Sequence, residues 1–116
     1  MIPAIRPQQL PEWLASCAAA GEAGLPIVLD VREPWEVQLA SVRPNGFELR
    51  AIPMANVPHH LDDLPRDRPI ACMCHHGVRS AQVARFLVSQ GYEAVVNITG
   101  GIHAWSDELD TSVPRY

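Results

Sequence analysis

The sequence predicts an α/β domain built on a mainly parallel sheet with helices over both faces. Three observations carry that expectation. Short apolar runs at residues 26–31, 70–73 and 95–98 alternate with helical periodicities at 11–20, 80–90 and 101–105. The run at 26–31 is continuous and rich in β-branched residues, as in a strand covered on both sides. Eleven prolines and seven glycines punctuate 116 residues, which implies short elements joined by tight turns. No linker is long enough to divide the chain, so residues 1–116 are expected to form a single domain of a size that buries a real core.

In chain order, Leu10, Trp13, Leu14, Cys17 and Ala18 fall three and four apart and predict a helix over 11–20, ended by Gly21 and Gly24. The strand over 26–31 follows Pro26. Pro34 sits where a helix begins, so 35–40 are expected to be helical. Pro44-Asn45-Gly46 is a turn, and the weak alternation of Phe47, Leu49 and Ala51 predicts an edge strand. Residues 52–57 are expected to form another short strand, followed by a one- or two-turn helix around 59–64. A strand over 70–73 leads into Cys74. The helix over 80–90 should turn Val83, Ala84, Leu87 and Val88 inward and Gln82, Arg85 and Ser89 to water, with Gly91 as the stop. A strand over 95–98 and a Gly100-Gly101 turn into a last short helix complete the set.

Composition removes several classes of function. The apolar fraction is 47% and the charged fraction 19%, with a formal net charge of −4. No basic stripe exists of the kind that nucleic-acid or anionic-membrane binding requires. No apolar run approaches the roughly 20 residues of a membrane span, and the N-terminus lacks the pattern of a secretory signal. Three cysteines are too few and too odd for a disulfide framework. A reducing cytoplasm is the expected location.

The chemistry concentrates in Cys74-His75-His76-Gly77-Val78-Arg79, which joins a buried strand to the start of an amphipathic helix. Unsatisfied amides and the helix dipole there favour an anion. A cysteine so placed can have its pKa lowered from about 8.5 to between about 3.5 and 7.5. Gly77 lets the backbone curl, and Arg79 brings forked donors suited to an oxyanion. The reading expects the Cys74 sulfur to stand exposed above inward-aimed amides, and it would fail if the thiol packed among apolar neighbours with its loop amides directed elsewhere. His75 and His76 either bring charge and hydrogen bonds to the loop or are simply solvated. Cys17 and Cys72 lie on apolar faces and read as buried core. Cys72, Cys74, His75 and His76 crowd within five positions with no second ligand pair, so no metal is expected. The single residue between the two cysteines excludes a c-type haem attachment. No cofactor is implied.

Four stretches, in order along nearly the whole chain, resemble the rhodanese family. Leu29-Asp30-Val31-Arg32-Glu33-Pro34-Trp35-Glu36 is similar to its strand-end Asp-Val-Arg signature with a downstream glutamate. Ile52-Pro53-Met54-Ala55-Asn56-Val57-Pro58 is similar to its Ile-Pro-Gly-Ala segment. Residues 74–79 resemble its active-site loop, and Asn97-Ile98-Thr99-Gly100-Gly101-Ile102-His103-Ala104-Trp105 its closing Gly-Gly…Ala-Trp motif. The resemblance implies a rhodanese-like sheet of about five strands and a cysteine that becomes a persulfide. Arg50-Ala51 departs from the family's usual Gly-His, Met54 from its glycine, and His75 stands where arginine is frequent, which weakens the permanent positive charge at the mouth.

The expected activity is therefore sulfur transfer. Cys74 would take sulfane sulfur from thiosulfate or a persulfide and pass it to a thiol, cyanide or a sulfur-carrier protein. His75, His76, Gly77, Val78 and Arg79 would line the donor site. Arg32 either reaches the rim or forms a surface salt bridge. Asp30 is expected to brace backbone or a cation, the tryptophans to pack, and His59, His60 and His103 to be solvated or structural. The rival is a cysteine-dependent phosphatase or arsenate reductase, whose loop places five residues between cysteine and arginine where this chain has four. A second rival is an interaction module. The tail Asp110-Thr111-Ser112-Val113-Pro114-Arg115-Tyr116 is similar to the end of rhodanese domains fused to ubiquitin-like-activating enzymes, which makes a carrier protein a candidate acceptor.

Overall fold

The computed structural model describes residues 2–19 and 24–116. Five strands form one sheet in the order β1-β5-β4-β2-β3, and every pairing is parallel. They are β1 (Ala4–Ile5), β2 (Ile27–Asp30), β3 (Glu48–Ala51), β4 (Ile70–Met73) and β5 (Val95–Ile98). Among the described residues four α-helices accompany them: α1 (Leu10–Ala19), α2 (Pro34–Leu39), α3 (Val78–Ser89) and α4 (Gly101–Glu108). The expected end of the first helix at Ala20 and Gly21 lies outside the described residues.

Helices cover both faces, as the continuous apolar strands require. On one face Ile27, Leu29, Ile70, Cys72 and Val95 pack under Val83, Ala84 and Leu87 of α3, with Tyr92. On the other, Val28, Ala71, Met73 and Val96 meet Leu10 of α1, Phe47, and Ile102 and Trp105 of α4. Residues alternate between the two cores along each strand, the period-two geometry of extended chain. The edge strand expected around Phe47–Ala51 is present as β3, beside β2.

Three expectations need correction. Residues 52–57 are not a strand. The Ile52 and Met54 amides donate to Asp30 O and Val31 O across the end of β2 (both 2.9 Å), and a 3-10 helix then runs Met54–Asp63. Pro53 has no amide with which to continue a ladder, and its carbonyl accepts from Asn56 N–H at 2.8 Å to begin the 3-10 turn. Val88 does not face inward but is 43% exposed. The buried line of α3 is Ser80, Val83, Ala84 and Leu87; at about 100° per residue Val88 falls at the edge of that line, whose first member, Ser80, meets Cys74 and Asn97. The last helix runs three residues past Trp105, to Glu108. The two-residue β1, which caps the β5 edge through Asn97 N–H to Pro3 O and Thr99 N–H to Ile5 O, carries too little pattern to be read from sequence.

Candidate active site

Cys74 lies one residue beyond the end of β4, at the carboxyl edge of a parallel sheet where α/β folds place their ligands. The chain then curls through Gly77, whose φ of +104° L side chains rarely adopt and whose absent Cβ leaves room for Gly100 N and Ile98 O at 3.1 and 3.3 Å. From Val78 onward it is helix. The curl aims donors at one point. Gly77 N–H lies 3.0 Å from Cys74 Sγ, Ser80 N–H 3.4 Å, and Ser80 Oγ 3.4 Å.

The loop is clipped from below by α4. Ile102 N–H donates to Cys74 O at 2.9 Å and His103 N–H to His75 O at 3.2 Å. This approach is possible only at a glycine, since a Cβ at Gly101 would lie 2.3 Å from Cys74 O. The Gly100-Gly101 pair thus serves the active-site loop through packing. Asn97 on β5 braces the same curl from the sheet side: its Nδ2 donates to Gly77 O at 3.1 Å, and its Oδ1 accepts from Ser80 Oγ at 2.6 Å, so the one hydroxyl hydrogen of Ser80 is shared between Asn97 and the sulfur.

The sulfur is not exposed, contrary to expectation; Cys74 is 1% accessible and forms the floor of the cradle rather than standing above it. Burial alone pushes the thiol up, but the Ser80 hydroxyl and the amides of Ser80, Gly77 and His76 outweigh it and hold the group below the ordinary thiol value. Cys72 shows the contrast. It shares the core, and burial with the neighbouring Cys74 charge pushes it up to about 12. One cysteine is prepared as an anion and the other is not.

The arginines sit differently from the sequence expectation. Arg32 does not reach the rim and is not a surface ion pair; it is 0% exposed. Its Nε and Nη2 grip Asp30 at 2.9 and 2.6 Å, and its remaining donors reach Ala40 O (2.8 Å), Glu36 O (3.2 Å) and the Tyr116 hydroxyl (3.1 Å). Every donor is committed to holding β2 against α2. Asp30 is the brace that was expected. Arg79 places both terminal nitrogens on Glu36, each at 2.7 Å, and so ties the start of α3 to α2. Val78, at the loop tip, is exposed.

A cluster of rings stands beside the loop. His75 stacks on Tyr116 with centroids 4.0 Å apart and planes 8° apart, and His76 lies 4.0 Å from His75 on a tilt. His103, expected to be solvated or structural, comes within 5.2 Å of the His76 ring. Sequence reasoning thus missed Ser80, Asn97, Glu36, His103 and Tyr116 as site components. Ser80 alone had a local signal, a hydroxyl in the first turn of the helix that follows the nucleophile.

A parallel α/β sheet with a cysteine cradled by amides at a strand end defines the class. The rhodanese-like domain family matches residues 10–108, and the chain belongs to that family. The chain is 40% identical over 91 residues to the rhodanese-like/PpiC domain-containing protein 12, chloroplastic, of Arabidopsis thaliana, covering 77% of this chain but only 30% of that protein. It is 33% identical over 94 residues to the thiosulfate sulfurtransferase GlpE of Pseudoalteromonas translucida, covering 75% of this chain and 90% of that one. A rhodanese-like domain protein from Staphylococcus aureus superposes with a TM-score of 0.74 at 28% identity, covering 99% of both chains. A Rhodopseudomonas palustris protein titled a possible tyrosine phosphatase, with 20% identity and a TM-score of 0.68, shares the fold.

Proposed function

We propose that this chain, as a single domain, is a sulfurtransferase that carries sulfane sulfur on Cys74. The observation that carries the reading is the convergence of Gly77 N–H and Ser80 N–H on Cys74 Sγ, 3.0 and 3.4 Å away, with the Ser80 hydroxyl, whose hydrogen is shared with Asn97 Oδ1, also at 3.4 Å. Donors so arranged stabilise a thiolate before reaction and a persulfide anion after it. The Cys74 thiolate attacks the outer sulfur of thiosulfate or of a persulfide. A new S–S bond forms as the old one breaks, and sulfite or a thiolate departs with the electron pair. A thiol, cyanide or a sulfur-carrier protein then attacks the terminal sulfur, and the electron pair of that bond returns to Cys74.

His75, His76, Gly77 and Val78 line the approach, and Arg79 supports the loop through Glu36. The cytoplasm, where thiols stay reduced, suits a free nucleophilic cysteine; no helix of the described residues is long and apolar enough to cross a membrane. Phosphoryl chemistry is less well served. The cradle offers amides to one buried sulfur atom, and the arginine that would clamp phosphoryl oxygens is already closed on Glu36.

Mass spectrometry after exposure to thiosulfate tests the reading. An adduct of one sulfur mass on Cys74, absent from Cys74→Ser and discharged by cyanide, is the expected result. Absence of the adduct with both thiosulfate and glutathione persulfide refutes it.

A further inference from the structure

The permanent charges around Cys74 cancel. Asp30 faces Arg32, Glu36 faces Arg79, and each pair is closed by two short hydrogen bonds. Arg32 has no donor left, and Arg79 has spent both terminal nitrogens on Glu36 and keeps only its Nε side. A doubly charged donor is therefore met by the loop amides, by that one side of Arg79 and by whatever charge the rings beside the loop acquire. Of those rings His75 is the most constrained. It lies flat against Tyr116 on one side and close to His76 on the other. Tyr116 is itself anchored, because its hydroxyl accepts from Arg32 Nη1 at 3.1 Å and donates to Glu36 Oε1 at 3.0 Å. One side chain thus joins both ion pairs to the imidazole next to the nucleophile.

We propose that Tyr116 is a positioning residue that selects the sulfur donor: by pinning the His75 imidazole face-on and away from water, it keeps that ring uncharged and favours neutral or singly charged persulfides over a dianion such as thiosulfate. The proposal rests on the reading of Cys74 as the sulfur carrier. The groups that face His75 are His76 from its own loop, His103 from α4, Glu36 from α2 and Tyr116. Burial, then His76, disfavour the imidazolium, while a main-chain bond to Tyr116 and the Glu36 charge favour it; burial prevails and the ring stays neutral to lower pH than an exposed histidine. The Tyr116 ring supplies part of that burial. Removing it admits water to one face of the imidazole, so that protonation sets in at higher pH and brings a positive charge beside the loop.

The test compares the wild type with Tyr116→Phe, which keeps the ring, and Tyr116→Ala, which removes it; Tyr116→Leu replaces the latter if melting shows that it does not fold. NMR follows the His75 ring through its titration. Sulfate, an unreactive dianion, is titrated as a protectant of Cys74 against iodoacetamide near neutral pH. In Tyr116→Ala the His75 midpoint should move upward, sulfate should protect several-fold better, and the ratio of kcat/KM for thiosulfate to that for glutathione persulfide should rise several-fold. Tyr116→Phe, which keeps the ring but loses its hydroxyl anchors, should fall between the wild type and Tyr116→Ala in all three. An unmoved His75 midpoint in Tyr116→Ala overturns the proposal, as does a full effect in Tyr116→Phe. The midpoint and the sulfate protection are read without turnover, so they fail separately from the sulfur adduct on which the proposed function stands.

Discussion

Replacing Glu36 by glutamine removes one charge from the centre of the α2–α3 contact while nearly keeping its shape. The carboxylate accepts four hydrogen bonds, from Arg79 Nη1 and Nη2 at 2.7 Å each, from Glu33 N–H at 2.9 Å and from the Tyr116 hydroxyl at 3.0 Å. The Arg79 bonds are the main reason its pKa falls from 4.5 to about 2, against the opposing effect of burial. That displacement corresponds to about 3 kcal/mol of stability. The carboxylate is 4% exposed but the Arg79 side chain is 35% exposed, so solvent screening trims the figure to about 2–3 kcal/mol. A carboxyl group with a depressed pKa contributes its full stability above its unfolded value of 4.5 and loses it as the pH falls through about 2. Urea unfolding of wild type and Glu36→Gln across pH 7 to 3 should therefore show about 2–3 kcal/mol between them at neutral pH. Below 4.5 the gap should narrow by up to about 1.4 kcal/mol for each pH unit. The other carboxylates titrate alike in both proteins and cancel. Equal stabilities at pH 7, or a gap that stays constant down to pH 3, would refute the reasoning.

Three further outcomes follow from the same geometry. Ser80→Ala removes the hydroxyl donor to Cys74 and orphans Asn97 Oδ1; the midpoint of the pH profile of Cys74 alkylation should rise, and stability should fall by about 1–2 kcal/mol. An unchanged midpoint would mean that the amides alone hold the anion. In the folded protein at pH 8, iodoacetamide should label Cys74 and leave Cys72 untouched, since burial lifts the latter to about 12; peptide mapping that finds equal labelling contradicts this. Gly101→Ala would force a methyl group to 2.3 Å from Cys74 O and 2.5 Å from His75 O at a φ of +58°, and should cost at least about 2 kcal/mol in urea unfolding; a loss under about 0.5 kcal/mol would show that the loop can retreat freely.

Sequence revealed what depends on local periodicity and chain order. The strands over 27–30, 70–73 and 95–98 are short β-branched runs, and the glycines after 74 and 98 mark the turns that follow two of them, so the carboxyl-edge position of Cys74 could be read directly. Residues whose roles depend on distant partners stayed hidden. Arg32 follows a strand end just as a rim residue would, and only Asp30, Ala40 and Tyr116 folded around it show that it is buried. Glu36 and Arg79 are 43 residues apart, and Arg32 and Tyr116 are 84 apart; no spacing rule links them. Val88 fits a helical stripe as well as Ser80 does. Only the folded partners of Ser80, Asn97 and the sulfur, show which of the two is buried.

A peptide unit is a two-ended object: if its oxygen is drawn one way, its hydrogen points the other. The N-terminus of α4 takes the oxygens of residues 74 and 75, and the Asn97 amide takes that of Gly77. The His75 oxygen shares its peptide unit with the His76 N–H, one of the donors that steady the Cys74 anion, so these dipoles are set at folding, before any substrate arrives. The cost of orienting those dipoles is met once per molecule and not once per turnover. The rigidity that makes the loop a good host for an anion thus originates in segments that never touch one.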